Sequence, residues 1–276
     1  RDLRMSRGLG DVYKRQQEDY KMKFDETATV VSQNEISDGI YDMWIDTGNI
    51  AANAVPGQFI SVYTKDASKL LPRPISICET DGSRLRIVYR IAGKGTKEFS
   101  GYSQGEKIHI LGPLGNGFPL EAAAGRRAIL IGGGIGIPPM LELAKHLDCD
   151  KGIVVGYRNS DTFLDKELQQ YGNLTIASDD GSIGTHGTVI DAIKACGVKG
   201  DVIFACGPTP MLRAIKQYAA DNGIEAWISL EERMACGIGA CLACVCKSTD
   251  VDSHSMVHNK RICKDGPVFN ATEVEL

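Results

Sequence analysis

Three cysteines spaced C-x4-C-x2-C (Cys236, Cys241 and Cys244), with Cys263 beyond an eighteen-residue gap, most limit what this chain can become. Gly237, Gly239, Ala240 and Ala243 stand between the first three sulfurs, so the backbone can close tightly around something small and inorganic. The spacing is that of plant-type [2Fe–2S] sites. Structural zinc is the alternative for four cysteines, but it usually arrives as two C-x2-C-like knuckles, whereas the first gap here is four residues. Cys246 is read as a fifth, non-ligating thiol on the strand that leaves the loop. The gap before Cys263, which holds Asp250, Asp252, Ser253, His254 and Ser255, is expected to form a polar hairpin with an extended tip. With four cysteines available, His254 and His258 are not needed as Rieske-type ligands.

A chain of 276 residues has room for two ordinary domains and a small appended one. Its net charge of −4 gives no reason to expect nucleic acid or an anionic membrane as a partner. No run approaches the length of a transmembrane helix and no secretory h-region is visible, so a cytoplasmic chain is expected. The nine cysteines include four isolated ones, Cys78, Cys149, Cys196 and Cys206, and a secreted disulfide scaffold would be shorter and more evenly seeded. Clustered cysteines therefore read as metal-binding or redox-active. Residues 1–21 are basic, glycine-punctuated and without apolar periodicity. They are expected to be an artificial scar or a disordered tail ahead of Met22.

Residues 22–120 read as short strands punctuated by turn residues, the pattern of an antiparallel β-barrel or sandwich. One helical piece, Gly95 to Tyr102, interrupts them. From 121 to 230 strands alternate with helices, which means βαβ units on a parallel sheet. A helix is expected over Thr162 to Tyr171, and Ala226 to Leu230 reads as the last strand. Residues 231–276 hold the cysteine cluster.

Two glycine-containing turns lie at the ends of predicted parallel strands. Gly132, Gly133, Gly134 and Gly136 lead into Pro138 and a helix, where backbone N–H groups can receive a phosphate. The G-x-G-x-x-G fingerprint is not strictly met, because prolines occupy its tail. Cys206-Gly207-Pro208 ends a later strand, on the side where open α/β sheets form their ligand crevice. In the barrel region, Arg73 can pair with a diphosphate bidentately. Ser76 follows on the same strand, Tyr89-Arg90 lies on the next, and Gly93-Lys94-Gly95-Thr96 opens the short helix. Taken singly, strand arginines are usually a solvated face.

In order, Arg-Pro-x-Ser, Tyr-Arg, Gly-x-Gly-Thr, Gly-Gly-Gly-x-Gly-x-x-Pro and Cys-Gly-Pro-x-x-Met resemble the ferredoxin–NADP reductase superfamily. Within it, the cysteine pattern is most similar to the electron-transfer subunits of NAD-dependent (type B) dihydroorotate dehydrogenases, and the resemblance spans residues 22–276. It implies an FAD-binding barrel, a nicotinamide-binding α/β domain and a small [2Fe–2S] domain. On that resemblance, Arg73, Pro74, Ile75 and Ser76 would line the flavin and its diphosphate, and Val88, Tyr89 and Arg90 would add ribityl and ring contacts. Gly95 and Thr96 would seat the pyrophosphate, Cys206 would mark the nicotinamide–flavin contact, and Cys236, Cys241, Cys244 and Cys263 would ligate the cluster. It further implies that an FMN-bearing catalytic subunit oxidises dihydroorotate, in a heterotetramer of two plus two. Electrons would cross the cluster and FAD to NAD⁺ in pyrimidine biosynthesis. Arg158 argues for NADP and the neighbouring Asn159, Ser160 and Asp161 against it; the resemblance favours NAD. Two other readings stay open. One is a flavin subunit of another redox complex, such as a transhydrogenase, hydrogenase or sulfite reductase. The other is a zinc-stabilised nucleotide-binding regulator.

Overall fold

The computed structural model describes residues 22–251 and 256–276. The expectations placed on residues 1–21 and on Asp252, Ser253, His254 and Ser255 lie outside the described residues.

The first unit runs β1 (Phe24–Ser37), β2 (Ile40–Asp46), α1 (Ile50–Asn53), β3 (Phe59–Tyr63), β4 (Arg73–Asp81), β5 (Arg84–Arg90), α2 (Lys94–Phe99) and β6 (Lys107–Leu114). Its six strands close in the order β1-β2-β5-β4-β3-β6, each pair antiparallel. The short strands expected over residues 22–120 appear as these six, because their alternation carries a buried side. Ile60 and Val62 of β3, and Leu85 and Ile87 of β5, fill the barrel. The residues between them, Ser61 of β3 and Arg86 and Val88 of β5, are buried on its outer wall under other parts of the chain. Gly82, at φ +59°, makes the two-residue turn that registers Asp81 against Arg84.

The second unit runs β7 (Ala128–Gly133), α3 (Pro138–His146), β8 (Lys151–Tyr157), α4 (Asp165–Leu168), β9 (Asn173–Ser178), β10 (Thr185–His186), α5 (Val189–Cys196), β11 (Val202–Cys206), α6 (Thr209–Asn222) and β12 (Glu225–Ser229). The expected helix over Thr162 to Tyr171 shortens to α4. Leu164 stands at φ +62°, and the Tyr157 hydroxyl donates to the Phe163 carbonyl at 2.7 Å, which holds the preceding turn out of helix. The sheet order is β10-β9-β8-β7-β11-β12-β15, so the strand order reverses between β7 and β11. That switch point is where open α/β sheets leave a crevice.

The chain ends in β13 (Val245–Lys247), β14 (Asn259–Arg261), α7 (Ile262–Asp265) and β15 (Val268–Asn270). β13 and β14 form the expected hairpin, pairing Cys246 with Lys260. β12 is not the last strand of the large sheet, since β15 adds to it antiparallel, Ile228 opposite Phe269. A stretch as short as 231–276 cannot bury a core of its own. Accordingly Met234, Cys244, Ile262, Cys263 and Phe269 share one buried cluster with Phe59 and Leu114 of the barrel and Ile203 and Ile228 of the sheet.

Barrel and sheet are also joined by charge. Arg86 donates to both oxygens of Asp42 at 2.9 and 2.8 Å, to Glu79 at 3.0 Å and to Glu167 of α4 at 2.6 Å. Lys145 of α3 reaches Glu79 at 2.8 Å, and Thr80 donates to Glu142 at 2.6 Å. Among the described residues no helix is long and apolar enough to cross a membrane.

Candidate flavin and iron–sulfur sites

A cavity of about 470 Å³ opens where the barrel meets the switch point of the sheet. Arg73, Pro74, Ile75 and Ser76 of β4 line it, with Val88, Tyr89 and Arg90 of β5 and Thr96 of α2. Gly136 and Cys206 close it from the sheet side. Residues scattered over more than a hundred positions are thus gathered at one place. Gly95 lies behind them, and its missing Cβ is what admits the Arg73 guanidinium, which would otherwise overlap it. That guanidinium donates to the Leu71 carbonyl and is held along the wall of the cavity. Arg73 and Arg90 make this wall fit for a diphosphate.

Two expected side chains behave differently from their neighbours. Tyr89 borders the cavity, but its ring belongs to the barrel core, edge-on to Phe99, with its hydroxyl donating to Gln33 at 2.7 Å. The Thr96 hydroxyl accepts from the backbone N–H groups of Ala92 at 2.9 Å and Gly93 at 3.2 Å, so it caps α2. What Thr96 can offer a ligand is position rather than a free hydroxyl.

On the sheet side the two glycine turns meet. Cys206 stands in register with Gly132 on β7, and a Cβ at Gly136 would fall on the Cys206 carbonyl. A Cβ at Gly133 would overlap Met211 of α6, and Gly207, at φ +158°, carries the chain into Pro208 at the start of that helix. Gly134, at φ +51°, makes the turn itself. The glycines therefore serve close approach of β7 and β11 at the crevice, and Gly136 alone among those of the first turn reaches the cavity surface. Burial first, then the nearby Glu231 carboxylate, pushes the Cys206 thiol up to about 12 against a hydrogen bond from Ser229. At neutral pH this thiol is uncharged.

Sequence reasoning missed the far wall of the cavity: Ser229, Glu231, Glu232, Arg233 and Met234, with Pro267. A signal for it existed. Ser229 ends a parallel strand in register with Cys206, so the residues after it had to leave on the crevice side.

The cysteine loop begins two residues beyond Met234. Positive φ at Gly237 (+68°), Gly239 (+87°) and Leu242 (+58°) curls it so that N–H groups turn toward sulfur. Ile238 and Ala240 donate to Cys236 Sγ at 3.5 and 3.3 Å, Gly239 to Cys263 Sγ at 3.1 Å, and Cys263 N–H to Cys244 Sγ at 3.4 Å. Burial opposes ionisation of Cys236, but the N–H of Ile238, the Cys241 side chain and further N–H groups bring it down to about 6. Burial and then Cys244 push Cys263 up to about 12. Cys236 neighbours Cys241, and Cys244 neighbours Cys263. Among the described residues no three such side chains converge as they would on a single ion. Backbone N–H groups aimed at cysteine sulfurs are the setting in which a protein tunes an iron–sulfur centre. Cys246 lies apart on β13, its thiol directed at the Lys260 carbonyl 3.6 Å away.

Known proteins resemble this chain both in its C-terminal stretch and over nearly its whole length. Residues 231–275 match the family model described as the iron–sulfur cluster binding domain of dihydroorotate dehydrogenase B. The chain is 46% identical over 256 residues to the dihydroorotate dehydrogenase B (NAD(+)) electron transfer subunit of Listeria innocua, covering 90% of this chain and 97% of that one. It is 45% identical over 260 residues to the subunit of the same name from a Geobacillus strain, covering 91% and 98%. Among solved structures, an NADH-dependent reduced ferredoxin-NADP oxidoreductase superposes with a TM-score of 0.80 at 29% identity, over 91% of this chain and 90% of that one. The cytochrome b5 reductase domain of Ulva prolifera nitrate reductase shares the fold at 17% identity, with a TM-score of 0.60 over 74% and 97%. By identity and coverage together, this chain belongs to the family of dihydroorotate dehydrogenase B (NAD(+)) electron transfer subunits.

Proposed function

We propose that this chain carries electrons from dihydroorotate, oxidised on a separate FMN-bearing catalytic subunit, through a [2Fe–2S] centre and FAD to NAD⁺. The setting is pyrimidine biosynthesis in the cytoplasm, and two such chains join two catalytic ones. The observation that carries the reading is adjacency. Gly237 of the cysteine loop packs on Ser61 of β3, and Ser61 is paired with Pro74 of β4, inside the Arg73–Ser76 segment that lines the cavity. Neighbouring strands lie about 4.8 Å apart, so the loop and the flavin wall are one strand from each other.

An iron–sulfur centre moves single electrons, nicotinamide takes pairs, and a flavin accommodates both. The residues supply the rest. The two cysteine pairs and their N–H donors would hold the cluster, and Arg73 and Arg90 the flavin diphosphate. Gly136 and Cys206 bound the side from which a nicotinamide would approach, and the neutral Cys206 thiol puts no negative charge there. Ile238, Leu242 and Val245, respectively 44%, 55% and 40% exposed, surround the sulfurs with apolar surface of the kind a partner covers.

The test uses the purified protein and Cys241→Ser. The wild type is expected to show flavin and [2Fe–2S] absorption and to reduce NAD⁺ from dihydroorotate once its catalytic subunit is added. Cys241→Ser should lose the cluster and this coupled activity while keeping NADH oxidation by an artificial acceptor. Equal loss of both activities, or a colourless zinc protein, would end the reading. The mass of the reconstituted complex tests the two-plus-two assembly.

A further inference from the structure

One group beside the cysteine loop has no structural task of its own. Ser61 Oγ is the one buried side-chain nitrogen or oxygen among the described residues that has no hydrogen-bond partner, and the residue is 0% exposed. A buried hydroxyl without a partner keeps its desolvation cost unrepaid, so strands do not keep one there for packing alone. Alternation along β3 fixes its direction: Ile60 and Val62 enter the barrel, and Ser61 turns outward between them. There it meets the backbone of the cysteine loop, 2.9 Å from where a Cβ of Gly237 would stand, with Leu114 beside it. Gly237 follows Cys236 directly in the chain. The other donors around the sulfurs are all backbone N–H groups. The hydroxyl thus reaches the loop from the flavin side.

We infer that Ser61 is a side-chain hydrogen-bond donor to the sulfur of the iron–sulfur centre on its Cys236 side, raising the reduction potential of the centre that faces the flavin. The inference rests on the [2Fe–2S] reading above. Reduction adds negative charge to the sulfurs, and a donor stabilises the reduced form more than the oxidised one. Ser61 thereby biases electrons toward waiting on the cluster, and its loss makes the cluster a stronger reductant toward the flavin.

The experiment compares the full-length, cluster-loaded wild type with Ser61→Ala in a dithionite redox titration followed by electron paramagnetic resonance. Pulsed spectra of the reduced cluster in H₂O and D₂O are recorded alongside. The expected result is a reduction equilibrium about tenfold less favourable in Ser61→Ala, a fall of about 59 mV for one electron. One exchangeable-proton coupling should disappear with it. An unchanged potential overturns the inference, and so does a shifted potential with the same set of exchangeable protons, since packing rather than the hydroxyl would then be responsible. A wild type without a [2Fe–2S] signal overturns the electron-relay reading itself, an outcome distinct from either of these.

Discussion

Arg73 illustrates how one side chain depends on an absent atom. Its guanidinium lies where a Cβ of residue 95 would be, so Gly95 is needed for contact and not for an unusual backbone angle. If Arg73 holds the diphosphate as proposed, Arg73→Ala is expected to weaken FAD retention by about 1.5–3 kcal/mol. Fluorescence of released flavin on dilution measures it, and unchanged affinity would move the diphosphate elsewhere. Cys206 gives a second test at this scale. With its pKa raised to about 12 from the usual thiol value near 8.5, the folded protein holds the proton more tightly than the unfolded chain. Its contribution to stability is therefore complete below about pH 8.5 and is lost as pH rises toward 12. At pH 8, iodoacetamide should label exposed Cys196 and leave Cys206 unmodified, as read by peptide mass spectrometry. Both residues stood out in the sequence. Glu231, which adds to the shift on Cys206, did not, because no spacing announces a contact made across two strand ends.

The elements were the most legible part, since strand alternation and helix periodicity are local. The six barrel strands and most of the α/β elements appear where the sequence puts them. The helix expected at Thr162 to Tyr171 is cut short by a left-handed Leu164, which periodicity does not reveal. Nor did the sequence give β15 as part of the large sheet, for a three-residue strand carries too little pattern to choose its neighbour. The turn after β7 shows what the glycines do. Gly136→Ala would drive a methyl into the Cys206 carbonyl, where backbone on both sides resists movement. The expected cost is about 1–3 kcal/mol in urea unfolding, with a higher KM for NADH because β7 and β11 part at the crevice. A wild-type KM would show that the crevice is not where nicotinamide binds.

At the scale of the whole molecule, Arg86 is the tie between barrel and sheet. Its side chain is 8% exposed and faces three carboxylates, Asp42, Glu79 and Glu167. Removing it leaves those charges confronting one another, and loss of one partner from a buried pair costs about 3–5 kcal/mol. Arg86→Met should lower the free energy of urea unfolding by that amount. It should also slow NADH-dependent flavin reduction more than it changes FAD affinity, since Glu167 belongs to the α/β unit, where nicotinamide is proposed to bind. Equal stability of the variant would mean that the apolar contacts of Val88 and Cys78 with the α/β core hold the units together without the charge. The C-terminal segment is the second tie, sharing one core with both units.

The sequence by itself determined the strands, the two glycine turns, the arginines of the cavity wall and the cysteines, because each depends on local spacing or residue chemistry. Only the tertiary structure decided which of these meet: that Gly136 touches Cys206, that the segment after β12 walls the cavity, and that the cysteine loop rests on β3. A pattern of alternation says which face of a strand is buried, but not what covers it. Ser61 and Arg86 are the measure of that difference, for each reads as an ordinary strand residue until its outward face is seen to be covered by another part of the chain.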